Sequence, residues 1–211
     1  MNKKMKLIIV DYYGVLTRGS YRETCMWLAK KYKIPYAKLY DVIYYKYFNQ
    51  AAMGKISEKK SLEGPIQELG LNETPESILK KHISFQVTNK SVFKLMFKLQ
   101  KEGYKILILS KNTPPQFKAA LKKLGTRKYF RNIINTFDLR LAKGSKKTMQ
   151  FVLRKFKVKP QQAVFIDDQD FNLIEAKKMG VKTIHYQGFR DFQKKLSKYL
   201  SSFTKASEDK A

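Results

Sequence analysis

Short apolar runs alternate along most of this chain with longer stretches whose apolar residues recur at helical spacing, and this alternation is the strongest constraint on the fold. The apolar runs occupy residues 6–10, 105–109, 132–136, 163–166 and 181–185. Unbroken runs of this length are typical of strands buried on both faces of a parallel sheet. Helical patterns cover residues 92–102, 115–124, 146–156 and 172–179. We therefore predict an α/β fold with a Rossmann-like, doubly wound parallel sheet.

One long segment, from about residue 17 to residue 89, interrupts the alternation. It contains no convincing strand, and its patterns predict four helices, at residues 21–31, 36–50, 59–68 and 76–84. A helical cap inserted after the first strand is the simplest interpretation. Residues 1–16 and 90–200 are predicted to form a discontinuous core, and residues 17–89 a helical cap. We expect residues 201–211 to form a polar, disordered tail.

The charge of the chain is strongly unbalanced, with 44 Lys and Arg against 17 Asp and Glu and a formal net charge of +27. A basic surface attracts polyanions such as nucleic acid, anionic lipid and phosphorylated metabolites. A general lysine bias would give the same composition, so nucleic acid is a partner that the charge permits but does not favour. The tyrosines at positions 36, 40, 44 and 47 follow helical spacing, and we expect them to pack inside the cap rather than stack on bases.

Cysteine content and hydropathy bear on the expected cellular location of the protein. Cys25 is the only cysteine, so an internal disulfide is excluded, and two histidines beside it are too few for a Cys/His zinc cluster. The basic first residues lead into an apolar run that meets Asp11 too early for a signal peptide. No segment approaches the roughly 20 apolar residues of a membrane span. We expect a cytoplasmic protein without a membrane span, and the sequence carries no signal for its oligomeric state.

Polar side chains follow the predicted strands at the end where doubly wound sheets bind their ligands. In chain order these residues are Asp11, Tyr13, Ser110, Asn112, Lys143, Asp167 and Asp168. Asp and Ser are common helix caps, so each alone has a local explanation, but the combination is rarely expected by chance. The carboxylates of Asp11 and Asp168 are suitable ligands for Mg²⁺. Lys143 would neutralise a phosphoryl group that Asp11 attacks in line.

Four stretches of the chain together resemble the motifs of the haloacid dehalogenase superfamily. LIIVDYYGVLT resembles the first motif and ILILSKNTPP the second, although Lys111 separates Ser110 from Asn112. Lys143 lies where the lysine of the third motif is expected, and KVKPQQAVFIDD followed by DFNLIEAKKMG is similar to the fourth motif and its helix. The resemblance spans about residues 6–186, and the predicted cap matches the family's helical caps in position and length.

The resemblance implies a hydrolase that works through an aspartyl intermediate with Mg²⁺ as cofactor and a small phosphorylated anion as substrate. It makes Asp11 the nucleophile and a metal ligand, and Asp168 the second carboxylate on the metal. Asp167 would bind the metal through water or orient the site. The backbone carbonyl of Tyr13 would also face the metal. The phosphate would be held by Ser110, Asn112 and Lys143.

Tyr13 departs from the family's phosphatases, which have an acid/base aspartate at this position. A phenol with a pKa of about 10 can donate a proton at neutral pH but is a poor base. General acid–base catalysis contributes about 10²–10⁴-fold to rate. We therefore expect Tyr13 to replace the acid/base aspartate only weakly. A phosphatase or phosphotransferase with this site would then be slow.

Two alternatives remain open beside the Mg²⁺-dependent phosphatase. The family's 2-haloacid dehalogenases have D-x-Y-G in the first motif, as DYYG does here, but their fourth motif resembles S-x-N-x-x-x-D, unlike DDQDFN. They also use a cap arginine for the halide, and Arg18 and Arg22 lie too close to the first motif for a good match. The second alternative is a non-catalytic module of the same fold that binds nucleic acid or another polyanion.

Overall fold

The computed structural model describes residues 5–201. Its first half contains β1 (Leu7–Asp11), β2 (Thr17–Arg18), α1 (Tyr21–Tyr32), α2 (Tyr36–Tyr40), a π-helical segment (Asp41–Phe48), α3 (Asn49–Ala52), α4 (Glu58–Glu68), α5 (Pro75–Phe85), β3 (Val87–Thr88) and α6 (Lys90–Lys101). The second half contains β4 (Lys105–Ser110), α7 (Pro114–Lys123), β5 (Asn132–Asn135), α8 (Thr136–Leu139), α9 (Lys146–Phe156), β6 (Ala163–Asp167), α10 (Ile174–Lys178), β7 (Lys182–His185) and α11 (Phe189–Ser201). Short 3₁₀ turns precede β5, β6 and α10.

The central sheet has the strand order β5-β4-β1-β6-β7, and every neighbouring pair is parallel. The α/β, doubly wound prediction is confirmed, and all five predicted strands are present with ends shifted by at most one residue. β1 lies in the middle and is buried along its whole length. Its alternate residues pack into two cores, Ile8 and Val10 on one face and Leu7 and Ile9 on the other.

This topology places the ends of three strands beside one another. After β1 the chain builds one side of the sheet, with β4 and β5, and then returns to build the other, with β6 and β7. The strand order therefore reverses at β1, which is where doubly wound sheets open a crevice for ligands. In register, Asp11 lies opposite Leu109, and Val10 lies opposite Ile166, so the residues that follow β1, β4 and β6 share one edge.

The helices between β2 and β3 form a helical insert, residues 19–86, around an apolar cluster of their own that includes Cys25, Leu28, Leu39 and Ile43. Predicted helices at 21–31, 59–68 and 76–84 correspond to α1, α4 and α5. The predicted helix at 36–50 is helical throughout, but its middle is a π-helix. The wider π turn brings side chains five positions apart together, as in the edge-to-face contact of Tyr40 with Tyr45 at 5.5 Å.

The expectation that the segment between residues 17 and 89 contains no strand is wrong at its two ends. Thr17 pairs with Thr88 and Arg18 with Val87, antiparallel to each other. Two-residue strands are too short to give the periodic pattern on which strand prediction depends. The pairing brings the entry and exit of the helical insert together.

Two further expectations concern the chain ends and membranes. The predicted polar tail covers residues 201–211. All of it except Ser201, the last residue of α11, lies outside the described residues. Among residues 5–201, no helix combines the length and apolar character that crossing a membrane requires.

Candidate active site

Three carboxylates meet at the sheet edge because two adjacent parallel strands end there. Asp11 is the last residue of β1, Asp167 is the last residue of β6, and Asp168 follows directly. One oxygen from each lies within 4.8 Å of the others. Asp11 and Asp167 are buried, at 4% and 0% exposure. Like charges at this separation repel strongly in a buried setting, so the cluster requires cations.

Lys143 supplies one of those cations from the loop between α8 and α9. Its Nζ lies 2.8 Å from Oδ2 of Asp11 and 2.9 Å from Oδ2 of Asp167. Burial alone would lower the pKa of this ammonium group, but the two carboxylates outweigh it and raise the pKa of Lys143 above its ordinary value. One lysine cannot balance three ionised carboxylates, so the donor set and its excess negative charge fit a divalent cation with oxygen ligands.

Asp167 and Asp168 differ in how many of their oxygens are already engaged. Asp167 Oδ1 accepts hydrogen bonds from the backbone N–H of Gln169 at 2.9 Å and from Nδ2 of Asn172 at 3.0 Å, while Oδ2 faces Lys143. Asp168 is partly exposed and lines the cavity described below. Burial and the charge of Asp167 raise the pKa of Asp168. Asp168 is therefore the better placed of the two to contact a ligand in the cavity, and Asp167 is held in position by its hydrogen bonds.

Both carboxylate oxygens of Asp11 are held by contacts. Oδ1 accepts the backbone N–H of Tyr12 at 2.7 Å, and Oδ2 faces Lys143. Burial raises the pKa of Asp11 above its ordinary value, Lys143 opposes this, and the charges of Asp167 and Asp168 reinforce it. A second cation beside Asp11 would favour the ionised form that a nucleophile requires.

Tyr13 lines the same cavity, and its hydroxyl contacts the helical insert. The hydroxyl accepts a hydrogen bond of 3.3 Å from Nε2 of Gln86, a residue that is fully buried at the end of α5. Burial, with the neighbouring Tyr12, raises the pKa of the Tyr13 phenol above its ordinary value of about 10. The phenol is thus protonated at neutral pH, and it is a potential proton donor rather than a base.

The last residue of β4 and the two residues that follow it lie at the sheet edge and in the cavity wall. Ser110 is fully buried, and its Oγ has no hydrogen-bond partner among the described residues. Lys111 and Asn112 line the cavity. The backbone of Asn112 is held by Asn135, whose side chain accepts from its N–H at 3.1 Å and donates to its carbonyl at 2.9 Å. A buried hydroxyl without a partner is suited to a ligand oxygen.

The cavity has a volume of about 100 Å³ and lies between the sheet edge and the helical insert. This is well below the roughly 300–1,000 Å³ of sites for drug-sized ligands, and it indicates a small substrate. The insert closes it with six side chains: Ser20, Tyr21, Tyr40, Tyr44, Phe48 and His82.

Two of these residues belong to the tyrosine series that the sequence places at helical spacing. Tyr40 and Tyr44 stack at 4.9 Å and pack against the apolar cluster of the insert, as expected, but they also line the cavity. Tyr36 is largely exposed. His82, Gln86 and Lys111 were not among the predicted site residues, because nothing in their local pattern indicates which side of a helix or loop faces the sheet edge.

Comparisons with known proteins identify the family of this chain and structures that share its fold. A family model described as haloacid dehalogenase-like hydrolase matches residues 5–180. A HAD family enzyme from Bacteroides thetaiotaomicron, solved with magnesium and inorganic phosphate, is similar with a TM-score of 0.69 and 23% identity, over 85% of this chain and 93% of that chain. An L-2-haloacid dehalogenase from Xanthobacter autotrophicus with chloropropionic acid covalently bound is similar with a TM-score of 0.63 and 18% identity, over 85% and 76%. No curated protein matches the chain.

Proposed function

Because this chain belongs to the haloacid dehalogenase-like hydrolases, we propose that it is a slow, Mg²⁺-dependent phosphatase or phosphotransferase whose nucleophile is Asp11. The observation that carries the proposal is the cluster of three carboxylates around Lys143. Such a cluster has an excess of negative charge that a divalent cation neutralises and that an anionic haloacid would increase.

The residues that would hold Mg²⁺ are Asp11, Asp168 and the backbone carbonyl of Tyr13, with Asp167 orienting the others. When bound, the ion would neutralise charge on the phosphoryl oxygens. The similar enzyme from Bacteroides thetaiotaomicron was solved with magnesium and inorganic phosphate, which supports the same pair of ligands here. Ser110, Asn112 and Lys143 would hold the phosphoryl oxygens.

Hydrolysis on these residues would take two steps. A carboxylate oxygen of Asp11 forms a bond to phosphorus as the ester P–O bond breaks, and the leaving oxygen takes a proton, for which the Tyr13 phenol is the available donor. Water then attacks the phosphorus of the aspartyl phosphate, which releases phosphate and restores the carboxylate. Because the pKa of Tyr13 lies above its ordinary value of about 10, the phenolate left by the first step regains a proton from solvent at neutral pH. The protonated phenol cannot then accept the proton that the attacking water must lose. The second step is therefore the slow one.

Dehalogenation is the second candidate, and Tyr13 is the observation in its favour, because 2-haloacid dehalogenases share a tyrosine in this motif. Two features weigh against it. Asp167 and Asp168 flank the nucleophile, and among the described residues no arginine lines the cavity. Arg18 and Arg22 are both exposed.

The test is Mg²⁺-dependent phosphate release from 4-nitrophenyl phosphate, with Asp11→Asn alongside the wild-type protein. The exposed Asp191, which is paired with Lys195 on α11, gives a matched control as Asp191→Asn. We expect slow release by the wild type and by Asp191→Asn, and none with Asp11→Asn or with EDTA. Acid-quenched protein should carry phosphate on Asp11 when analysed by mass spectrometry.

Chloride release from L-2-chloropropionate, measured in parallel, distinguishes the two candidates. Chloride release without phosphate release would replace the proposal with the dehalogenase. Phosphate release that persists in Asp11→Asn would remove Asp11 as the nucleophile.

A further inference from the structure

Lys111 is a cation in the cavity wall that the proposed reaction does not use. It follows β4, and its Nζ donates a hydrogen bond of 2.8 Å to Oδ1 of Asn49. The same Nζ lies 5.3 Å from the ring centre of Tyr44. Both contacts are to neutral residues of the helical insert, whereas Lys143 faces the aspartates. Lys111 thus lies on the insert side of the cavity.

Among residues 5–201, Lys111 has no ion-pair partner, and the aspartate cluster already pairs with Lys143. Burial and the charge of Lys143 lower the pKa of Lys111 to about 8. The charges of Asp11 and Asp167 act on Lys111 only from beyond ion-pair distance, and they oppose the lowering of its pKa without cancelling it. A half-buried cation without a paired counter-charge is costly, and the contact with an aromatic ring offsets this only in part. The position is therefore suited to an anionic ligand.

The geometry of the cavity restricts what that anion is. A phosphoryl group that Asp11 attacks must lie at the sheet edge, so its leaving group extends towards the insert and Lys111. The cavity of about 100 Å³ has little room beyond one phosphoryl group and a short chain. A carboxylate is smaller than a second phosphate and makes a charge-assisted hydrogen bond with an ammonium group.

We infer that Lys111 determines specificity by binding a carboxylate on the leaving group, so that the substrate is a small phosphate monoester of a hydroxy acid. The inference rests on the proposed function for the identity of the phosphoryl site. The competing explanation is that Lys111 only ties the helical insert to the core through Asn49. That role requires no anion and predicts no preference between charged and uncharged ligands.

Two phosphonates that cannot be hydrolysed separate these explanations. We would titrate the protein with 3-phosphonopropionate and with propylphosphonate in the presence of Mg²⁺, by calorimetry. The two ligands differ by one carboxylate, and a hydrogen bond between charged groups is worth about tenfold or more in affinity. We expect the wild type to bind 3-phosphonopropionate about tenfold more tightly than propylphosphonate.

Variants assign that preference to Lys111. Lys111→Met should abolish it and Lys111→Arg should retain it. Lys118→Met, which removes an exposed lysine of α7, is the control and should bind like the wild type. Lys111→Gln provides a second neutral variant, and thermal melting checks that each variant is folded.

Equal affinity of the wild type for the two phosphonates, or binding of neither, would overturn the inference. A preference that survives in both Lys111→Met and Lys111→Gln would do the same. The proposed function is judged separately by phosphate release from 4-nitrophenyl phosphate, which has no carboxylate. A failure of the inference can therefore be told apart from a failure of the proposed function.

Discussion

The carboxylate of Asp168 lies against the α-carbon of Gly14, in the space that a β-carbon on Gly14 would fill. Gly14 also has a φ of +85°, in the left-handed region that favours glycine. The glycine of the first motif therefore has two roles at this position. It lets the chain turn after Tyr13, and it lets the fourth motif approach the first closely enough to complete the carboxylate cluster.

We predict that Gly14→Ala weakens Mg²⁺ binding at least tenfold, because the added methyl group must displace Asp168. Gly103→Ala is the matched control, since Gly103 has a φ of +94° and open space around it. Both changes incur the backbone cost of about 1–2 kcal/mol. Thermal melting with and without Mg²⁺ measures the effect. The rise in Tm on adding Mg²⁺ should persist in Gly103→Ala, and an equal rise in Gly14→Ala would contradict this account.

Replacing Tyr13 with aspartate should accelerate turnover. Aspartate can donate a proton to the leaving group and then activate water, a contribution of about 10²–10⁴-fold. We expect Tyr13→Asp to raise the kcat for 4-nitrophenyl phosphate by about 10²-fold and to reduce the amount of phosphorylated Asp11. Tyr13→Phe removes the hydroxyl alone and tests it as a proton donor. Turnover by Tyr13→Asp no faster than that of the wild type would show that proton transfer is not what limits the reaction.

Loss of Lys143 should destabilise the metal-free protein. Removing one partner of a buried ion pair costs about 3–5 kcal/mol, and here two carboxylates lose their partner. We expect Lys143→Met to lower the free energy of unfolding in urea by this amount in EDTA, and by less in Mg²⁺. Lys147→Met, on the exposed face of α9, should change it by no more than about 0.5 kcal/mol. Similar losses in the two variants would argue against Lys143 as the counter-ion of the cluster.

Stability should fall in mild acid because of His82. This buried histidine is hydrogen-bonded to Thr24, and burial lowers its pKa from 6.5 to about 4. Between these values the unfolded state binds a proton that the folded state does not, so stability is lost as pH falls from 6.5 towards 4. The shift corresponds to about 3 kcal/mol.

The comparison with His82→Gln isolates this contribution. We expect the difference in unfolding free energy between the wild type and His82→Gln to decrease by about 3 kcal/mol from pH 7.5 to pH 4. Urea titrations at several pH values measure it. A difference that stays constant over the range would mean that His82 binds a proton as readily in the folded protein as in the unfolded chain.

The sheet and the carboxylate cluster are predictable because both depend on local pattern. Apolar runs such as the one ending at Asp11 must be buried on both faces, and parallel strands that share an edge bring their following residues together. Asp11, Asp167 and Asp168 therefore converge whatever the details of packing. Lys143 is placed at the same edge by its position before a predicted helix, but a lysine in a loop of so basic a chain carries little information by itself, and the family resemblance adds the specific evidence for it.

The residues that line the cavity on the side away from the carboxylate cluster could not be predicted from the sequence. Lys111 and His82 line the same cavity because of how the helical insert packs on the sheet edge, and periodicity does not encode that packing. The π-helical turn between Asp41 and Phe48 was equally hidden, because its sequence fits an ordinary helix. The contact that it creates between Tyr40 and Tyr45 is a property of the folded chain.

The paired strands β2 and β3 have a consequence for how such proteins diversify. Neighbouring strands lie about 4.8 Å apart, so the two points where the chain leaves and rejoins the sheet domain are almost coincident. A segment with adjoining ends can be lengthened, shortened or exchanged without shifting any strand of the central sheet. The helical insert over the carboxylate cluster is in this sense an interchangeable part, and new specificities can arise by replacing it while the residues beneath it are inherited unchanged.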